Sequence, residues 1–85
     1  LIGFPVKGIR IRVDVNPGST INFRGGDATT PEAFRTSIVS RAGGLTSVEL
    51  MGSAMDRFAV DVKGDNGSGV QIPMGVRVLG FDLLR

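Results

Sequence analysis

The chain has 85 residues, a formal net charge of +2, and 41% apolar and 21% charged residues. This composition is typical of a folded globular domain, and the length allows one hydrophobic core. The absence of cysteine and histidine excludes disulfides, thiolate metal sites and imidazole or thiol catalysis. We therefore expect a single domain over residues 1–85 that is not an enzyme and holds no metal or cofactor.

The first part of the chain predicts two strands. Over residues 9–15 apolar and charged residues alternate without a break, which is typical of a strand with one buried side. Residues 16–19, Asn-Pro-Gly-Ser, favour a turn. Residues 20–24 then form a short second strand with Ile21 and Phe23 on its apolar side.

Residues 31–42 are predicted to form a helix. Thr30 suits the N-cap, and Pro31 suits the first helical position. The glycines at 43–44 would end the helix, because one of them can take the left-handed cap conformation. The side chains that recur at helical spacing would be buried on one stripe: Phe34, Ile38 and Ala42.

Further strands are expected over residues 45–51, 57–63 and 70–78, with residues 64–69 as a hairpin turn. Pro73 suggests an edge position or a bulge in the last of these strands, which continues into an apolar tail. The predicted fold class is α+β: a small, mostly antiparallel sheet of about five short strands with one helix packed on one face.

The order of helix, Gly-Gly and two strands from residue 34 to residue 63 is similar to the middle of a ferredoxin-like fold. This fold occurs in ACT regulatory domains and in a ribosomal protein. The Asn-Pro-Gly sequence at residues 16–18 also resembles an ACT turn. The resemblance implies a domain that binds a small regulatory ligand, and we carry over no functional residue from it.

Both ends of the chain are apolar, and they provide the candidate association surface. Its residues are Leu1, Ile2, Phe4, Phe81, Leu83 and Leu84. If these side chains are not core, they form an exposed patch of the kind that marks association, or they add strands to a neighbouring sheet. The alternative, that the two ends pair with each other and complete the domain's own sheet, stays open.

The sequence thus favours a non-catalytic structural or assembly subunit. We expect it to self-associate or to dock into a larger complex, such as a virion, a filament or a multi-subunit assembly, through strand edges and apolar ends. A protein partner is therefore expected, and no membrane span is. The alternatives are the ACT-like ligand domain and a nucleic-acid-binding module. The module would use a basic face formed by Lys7, Arg10, Arg12 and Arg24.

Overall fold

A computed structural model describes residues 2–65, 71–74 and 76–85. All regular secondary structure in these residues is β-strand, so the predicted α+β class is wrong. The strands are β1 (Val6–Val15), β2 (Ser19–Gly26), β3 (Phe34–Ser40), β4 (Gly44–Met55), β5 (Arg57–Asp65), β6 (Gln71–Met74) and β7 (Arg77–Leu84). Nowhere in this part of the chain is there a helix long and apolar enough to cross a membrane.

The described strands form two antiparallel sheets. A three-stranded sheet has the order β4-β1-β7, and a four-stranded sheet has the order β3-β2-β5-β6. The chain changes sheet after β1, β3, β4 and β6, so each sheet combines strands from both halves of the sequence. The core residues are Val6, Ile9, Ile11, Val13, Val15, Ile21, Phe23, Val48, Leu50, Met55 and Val62.

Strand β1 follows its sequence pattern closely. It is the middle strand of the three-stranded sheet and pairs with β4 on one side and β7 on the other. Ile9, Ile11 and Val13 are 0% exposed, whereas Arg10 and Arg12 lie on the outer side and are partly exposed. The predicted alternation over residues 9–15 is therefore confirmed, because a central strand of a packed sheet buries one complete side.

The helix predicted over residues 31–42 is instead strand β3, which pairs with β2 from Phe34 opposite Gly25 to Ser40 opposite Ser19. Along β3 half-buried and exposed residues alternate, so burial repeats every two residues, as in a strand. Residues four apart, such as Phe34 and Ile38, share one side in a helix and also in a strand. Their spacing therefore does not distinguish the two structures. The residues between and after them include β-branched Thr36 and Val39, which favour the strand.

The ferredoxin-like resemblance is also wrong, because residues 34–40, which would belong to the first helix of that fold, form a strand. The later strands are longer than predicted: β4 runs to Met55, and Asp56 alone separates it from β5. The predicted strand over residues 70–78 is divided between β6 and β7, and the apolar tail belongs to β7. Most of the predicted hairpin turn at residues 64–69 lies outside the described residues.

Candidate functional site

Strand β7 lies at the edge of the three-stranded sheet. Its one strand partner within residues 2–65, 71–74 and 76–85 is β1. The apolar tail thus completes the domain's own sheet through β1. The backbone groups on the far side of β7 have no strand partner in this part of the chain, so they are able to pair with an added strand.

Three large apolar side chains on β7 are about half exposed. Val78 is 45%, Leu79 48% and Phe81 51% exposed. The register of β7 against β1 shifts between Arg12 and Val13, so Leu79 is an extra residue in the ladder. A bulge of this kind re-aims side chains and commonly lies at a sheet edge.

Phe81 also belongs to an apolar pocket between the two sheets. The pocket has a volume of about 390 Å³ and is lined by Ile2, Phe58, Phe81 and Leu83. Three of the predicted association residues therefore meet there, around Phe58 of β5, which the sequence placed only within the predicted strand 57–63. The N–H of Ile2 donates to the carbonyl oxygen of Asp56 at 2.7 Å, which fixes the start of the chain beside this pocket.

The other predicted association residues lie elsewhere. Leu84 is on the outer side of the three-stranded sheet, where its side chain and that of Met51 converge over Gly8. Phe4 is 36% exposed, and the guanidinium of Arg85 lies over its ring at 4.3 Å. Leu1 lies outside the described residues.

The structure does not bring the four predicted nucleic-acid-binding cations onto one face. Arg10 and Arg12 lie on the outer side of the three-stranded sheet, whereas Arg24 is on β2 in the other sheet. Arg10 Nε lies 3.0 Å from Glu49 Oε1, and Arg12 Nη1 lies 3.0 Å from Asp82 Oδ2. These carboxylates offset the positive charge that phosphates would meet. Lys7 is exposed on β1 near the end of the sheet.

The outer side of the four-stranded sheet carries a second polar region, which the sequence analysis missed. Arg24 Nη1 lies 2.7 Å from Glu32 Oε1, and Arg24 Nη2 lies 3.2 Å from Asp61 Oδ1. Arg35 Nη2 lies 3.8 Å from the second oxygen of Glu32. The helix prediction hid this arrangement, because it assigned Glu32 and Arg35 to a helix. The β-branched residues Thr36, Ile38 and Val39 were the signal in the sequence that favoured a strand here.

Two adjoining grooves flank Arg24 and Arg35. The first has a volume of about 640 Å³ and the second about 530 Å³. Arg24, Thr29, Thr30, Pro31, Glu32, Arg35, Arg57, Phe58 and Ala59 line the first. Asn22, Arg24, Arg35, Thr36, Ser37, Asp61 and Lys63 line the second.

The segment that carries Glu32 is held by Asp27. Oδ1 of Asp27 accepts from the backbone N–H of Thr30 at 2.8 Å and of Thr29 at 2.9 Å. These two hydrogen bonds, that from Thr30 first, hold the pKa of the Asp27 carboxyl below its ordinary value. The side chain thus forms a local turn of the kind that Asp favours, in place of the predicted helix start at Thr30.

Comparison with known proteins adds no identification. The chain matches no protein-family model, no curated protein and no solved structure. Among its described residues there is no group of three or more acidic, histidine or cysteine side chains placed to hold a metal ion. The geometry of β7 and of the polar grooves is therefore what supports a functional proposal.

Proposed function

We propose that this chain is a non-catalytic assembly subunit, and that its β7 edge pairs with β7 of a second copy. The observation that carries the proposal is an edge strand of eight residues with three half-exposed large apolar side chains, Val78, Leu79 and Phe81. Natural sheets protect such edges with charge, proline, bulges or very short strands. β7 has a bulge at Leu79, but the bulge exposes an apolar side chain, and an exposed apolar edge is a site for strand addition.

The opposite edge of the same sheet is less suited to association. On β4 the exposed apolar residues Leu45 and Met51 are separated by Ser47 and Glu49 on the same outer side. On β7 the apolar residues are almost contiguous, and Phe81 continues into the pocket with Ile2 and Leu83. The closer grouping of exposed apolar side chains along the strand favours β7.

A second copy fits this edge because β7 is self-complementary. Two identical antiparallel strands are related by a two-fold axis. With the axis between Leu79 and Gly80, Arg77 of each copy lies opposite Asp82 of the other, and Val78 lies opposite Phe81. The two-fold axis repeats both pairs, so the interface contains two pairs of opposite charges and two pairs of apolar side chains.

The bulge makes this register geometrically consistent. Residues that face each other across a two-fold pair must lie on the same side of the sheet. Arg77 and Asp82 are paired with Asp14 and Arg10, which lie on the outer side of β1. Val78 and Phe81 are paired with Val13 and Ile11, which lie on the inner side. Without the extra residue Leu79, residues five positions apart would point to opposite sides.

The test is the solution mass, measured by light scattering over a concentration series for the natural chain, Leu79→Lys and Leu45→Lys. Both substitutions replace an exposed leucine on an edge strand of the same sheet, so Leu45→Lys is the matched control. We expect the natural chain and Leu45→Lys to form a dimer and Leu79→Lys to remain monomeric. A monomeric natural chain, or equal effects of the two lysines, would contradict the proposal.

The register has its own test. Asp82→Arg places arginine opposite Arg77 of the second copy, and we expect it to weaken the dimer. Adding Arg77→Asp to Asp82→Arg restores opposite charges and is expected to restore the dimer. Glu49→Arg is the control, because Glu49 contacts an arginine of β1 as Asp82 does, Arg10 at 3.0 Å, but lies on β4. If the double variant stays as weak as Asp82→Arg, the register is wrong even where a dimer exists.

A further inference from the structure

Beyond the β7 edge, the geometry points to an oxyanion-binding site on the outer side of the four-stranded sheet. We propose that Arg24 and Arg35 bind the carboxylate or phosphate group of a small ligand, and that Glu32 occupies the same position when the ligand is absent. The site lies on the other sheet from β7, so the proposal does not depend on self-association.

The two arginines stand directly opposite each other, Arg24 on β2 and Arg35 on β3. Like charges in directly opposed positions of a sheet repel each other and are destabilising. An anion between them removes the repulsion, and Glu32 supplies one, with one oxygen 2.7 Å from Arg24 and the other 3.8 Å from Arg35. The position therefore already binds one carboxylate.

Glu32 is able to leave this position without disturbing the sheet. It lies between β2 and β3, outside both strands, and its side chain is 48% exposed. By contrast, the carboxylates that neutralise Arg10 and Arg12, those of Glu49 and Asp82, are on strands β4 and β7. A carboxylate on a connecting segment is easier to displace than one fixed by a strand.

Arg24 would stay oriented after Glu32 leaves, because Asp61 of β5 holds its Nη2 at 3.2 Å. The Nε of Arg24 is buried and makes no hydrogen bond within the described part of the chain. A buried donor without an acceptor is costly, and such groups are often retained where they serve a site. Because Nε is buried, a ligand would reach Arg24 through Nη1, the donor that Glu32 releases.

The adjoining grooves have room for a small molecule. Their volumes, about 640 and 530 Å³, lie in the range of small-ligand sites. The Thr30 hydroxyl and the Asn22 amide group lie along the grooves, and the Ser37 hydroxyl donates to Asn22 Oδ1 at 2.9 Å. Lys63 lies at one end of the grooves and adds a positive charge, whereas Arg57, at the other end, is paired through its Nε with Asp56 Oδ1 at 3.0 Å. A ligand with one oxyanion and several polar groups would match this lining.

The test is an NMR titration of the natural chain, Glu32→Gln, Glu49→Gln and Arg35→Gln with inorganic phosphate, and separately with malonate. Glu49→Gln is the matched control: it removes the same charge from a carboxylate that is 49% exposed and also contacts an arginine. Phosphate and malonate distinguish a phosphate ligand from a carboxylate ligand.

We expect saturable shifts at the backbone amides of Arg24, Arg35 and Thr30 with at least one of the two anions. Because an exposed ion pair competes with the ligand only modestly, Glu32→Gln should bind about threefold more tightly. Glu49→Gln should bind as the natural chain does, and Arg35→Gln should lose the saturable shifts. Equal affinity of Glu32→Gln and Glu49→Gln, or shifts spread equally over Arg10 and Arg12, would overturn the proposal.

Discussion

The ring of Phe58 lies 5.6 Å from the ring of Phe81, with an angle of 55° between the ring planes. This contact joins β5 of the four-stranded sheet to β7 at the edge of the other. Phe58 in turn meets Phe23 of β2 edge-on, with the centroids 5.7 Å apart. A row of aromatic rings therefore runs from the centre of the core to the exposed edge strand, and burial decreases along it.

The two ends of this row should contribute differently to stability. Phe23 is 0% exposed, and we expect Phe23→Ala to lower the free energy of unfolding by about 3–5 kcal/mol, since it leaves a cavity. Phe81 is 51% exposed, and Phe81→Ala should cost about 1–2 kcal/mol. Urea unfolding at low protein concentration, where the monomer dominates, measures both. Equal costs would show that Phe81 is buried in the monomer.

Between β3 and β4, Gly43 has a positive φ of 69°, and Gly44, the first residue of β4, has one of 76°. A Cβ on Gly43 would lie 2.6 Å from the nitrogen of Pro17, whereas one on Gly44 would meet nothing within 4 Å. Both alanine substitutions carry the cost of a left-handed residue, about 1 kcal/mol. We expect Gly43→Ala to cost clearly more, because the Pro17 backbone must also move.

Thermal unfolding of the two variants under identical conditions gives the comparison. Gly44→Ala is the control for backbone strain alone. If Gly43→Ala is no worse than Gly44→Ala, then Pro17 does not restrict this turn.

The sequence was sufficient to predict a strand when its apolar residues alternate and one of its two sides faces the core. Strand β1 is the best case, because it is central and one side is fully buried. Strand β3 could not be predicted in the same way, since it is an edge strand with half-buried residues at most. Its weak pattern fits helix and strand alike, and the pairing with β2 that decides between them is not visible in its own residues.

The candidate sites were predictable to different degrees. The sequence identified Ile2, Phe81 and Leu83 as an apolar group, but the partner that unites them, Phe58, comes from β5 in the other sheet. Predicting that Arg24 lies opposite Arg35 would have required the register of β2 against β3. Contacts between sheets and between strands depend on topology, which local patterns do not encode.

Asp27 should make stability depend on pH in the acid range. Hydrogen bonds from the N–H groups of Thr30 and Thr29 hold its pKa in the folded chain below its ordinary value of 3.8. A carboxyl whose pKa falls on folding stabilises the fold fully above its unfolded pKa, and the contribution is lost as the pH falls through the folded pKa. Asp27→Asn removes this titration while keeping a carbonyl oxygen as acceptor.

We therefore expect the difference in melting temperature between the natural chain and Asp27→Asn to be constant near neutral pH. This difference should shrink as the pH falls below about 3.8 and then through the lower pKa that Asp27 has in the folded chain. Melting curves of both proteins at a series of pH values measure it. A difference that shrinks already between pH values of about 7 and 5 would mean that another group is responsible.

On the β3 and β4 side, the two sheets meet at a contact that needs a glycine. A Cβ on Gly52 of β4 would lie 2.6 Å from two ring atoms of Phe34 on β3, so Gly52→Ala forces the ring to move. We expect a loss of about 1–3 kcal/mol in the free energy of unfolding from this overpacking.

A double-mutant cycle with Phe34→Ala tests the cause. With the ring removed, the added methyl group has room, so Gly52→Ala should cost little in the Phe34→Ala background. The two substitutions should thus be strongly non-additive, as expected for residues in direct contact. Additive costs would mean that Gly52 is required by its backbone alone. Non-additive costs would show that Phe34 joins β3 to β4 and fixes the two sheets at the side away from β7.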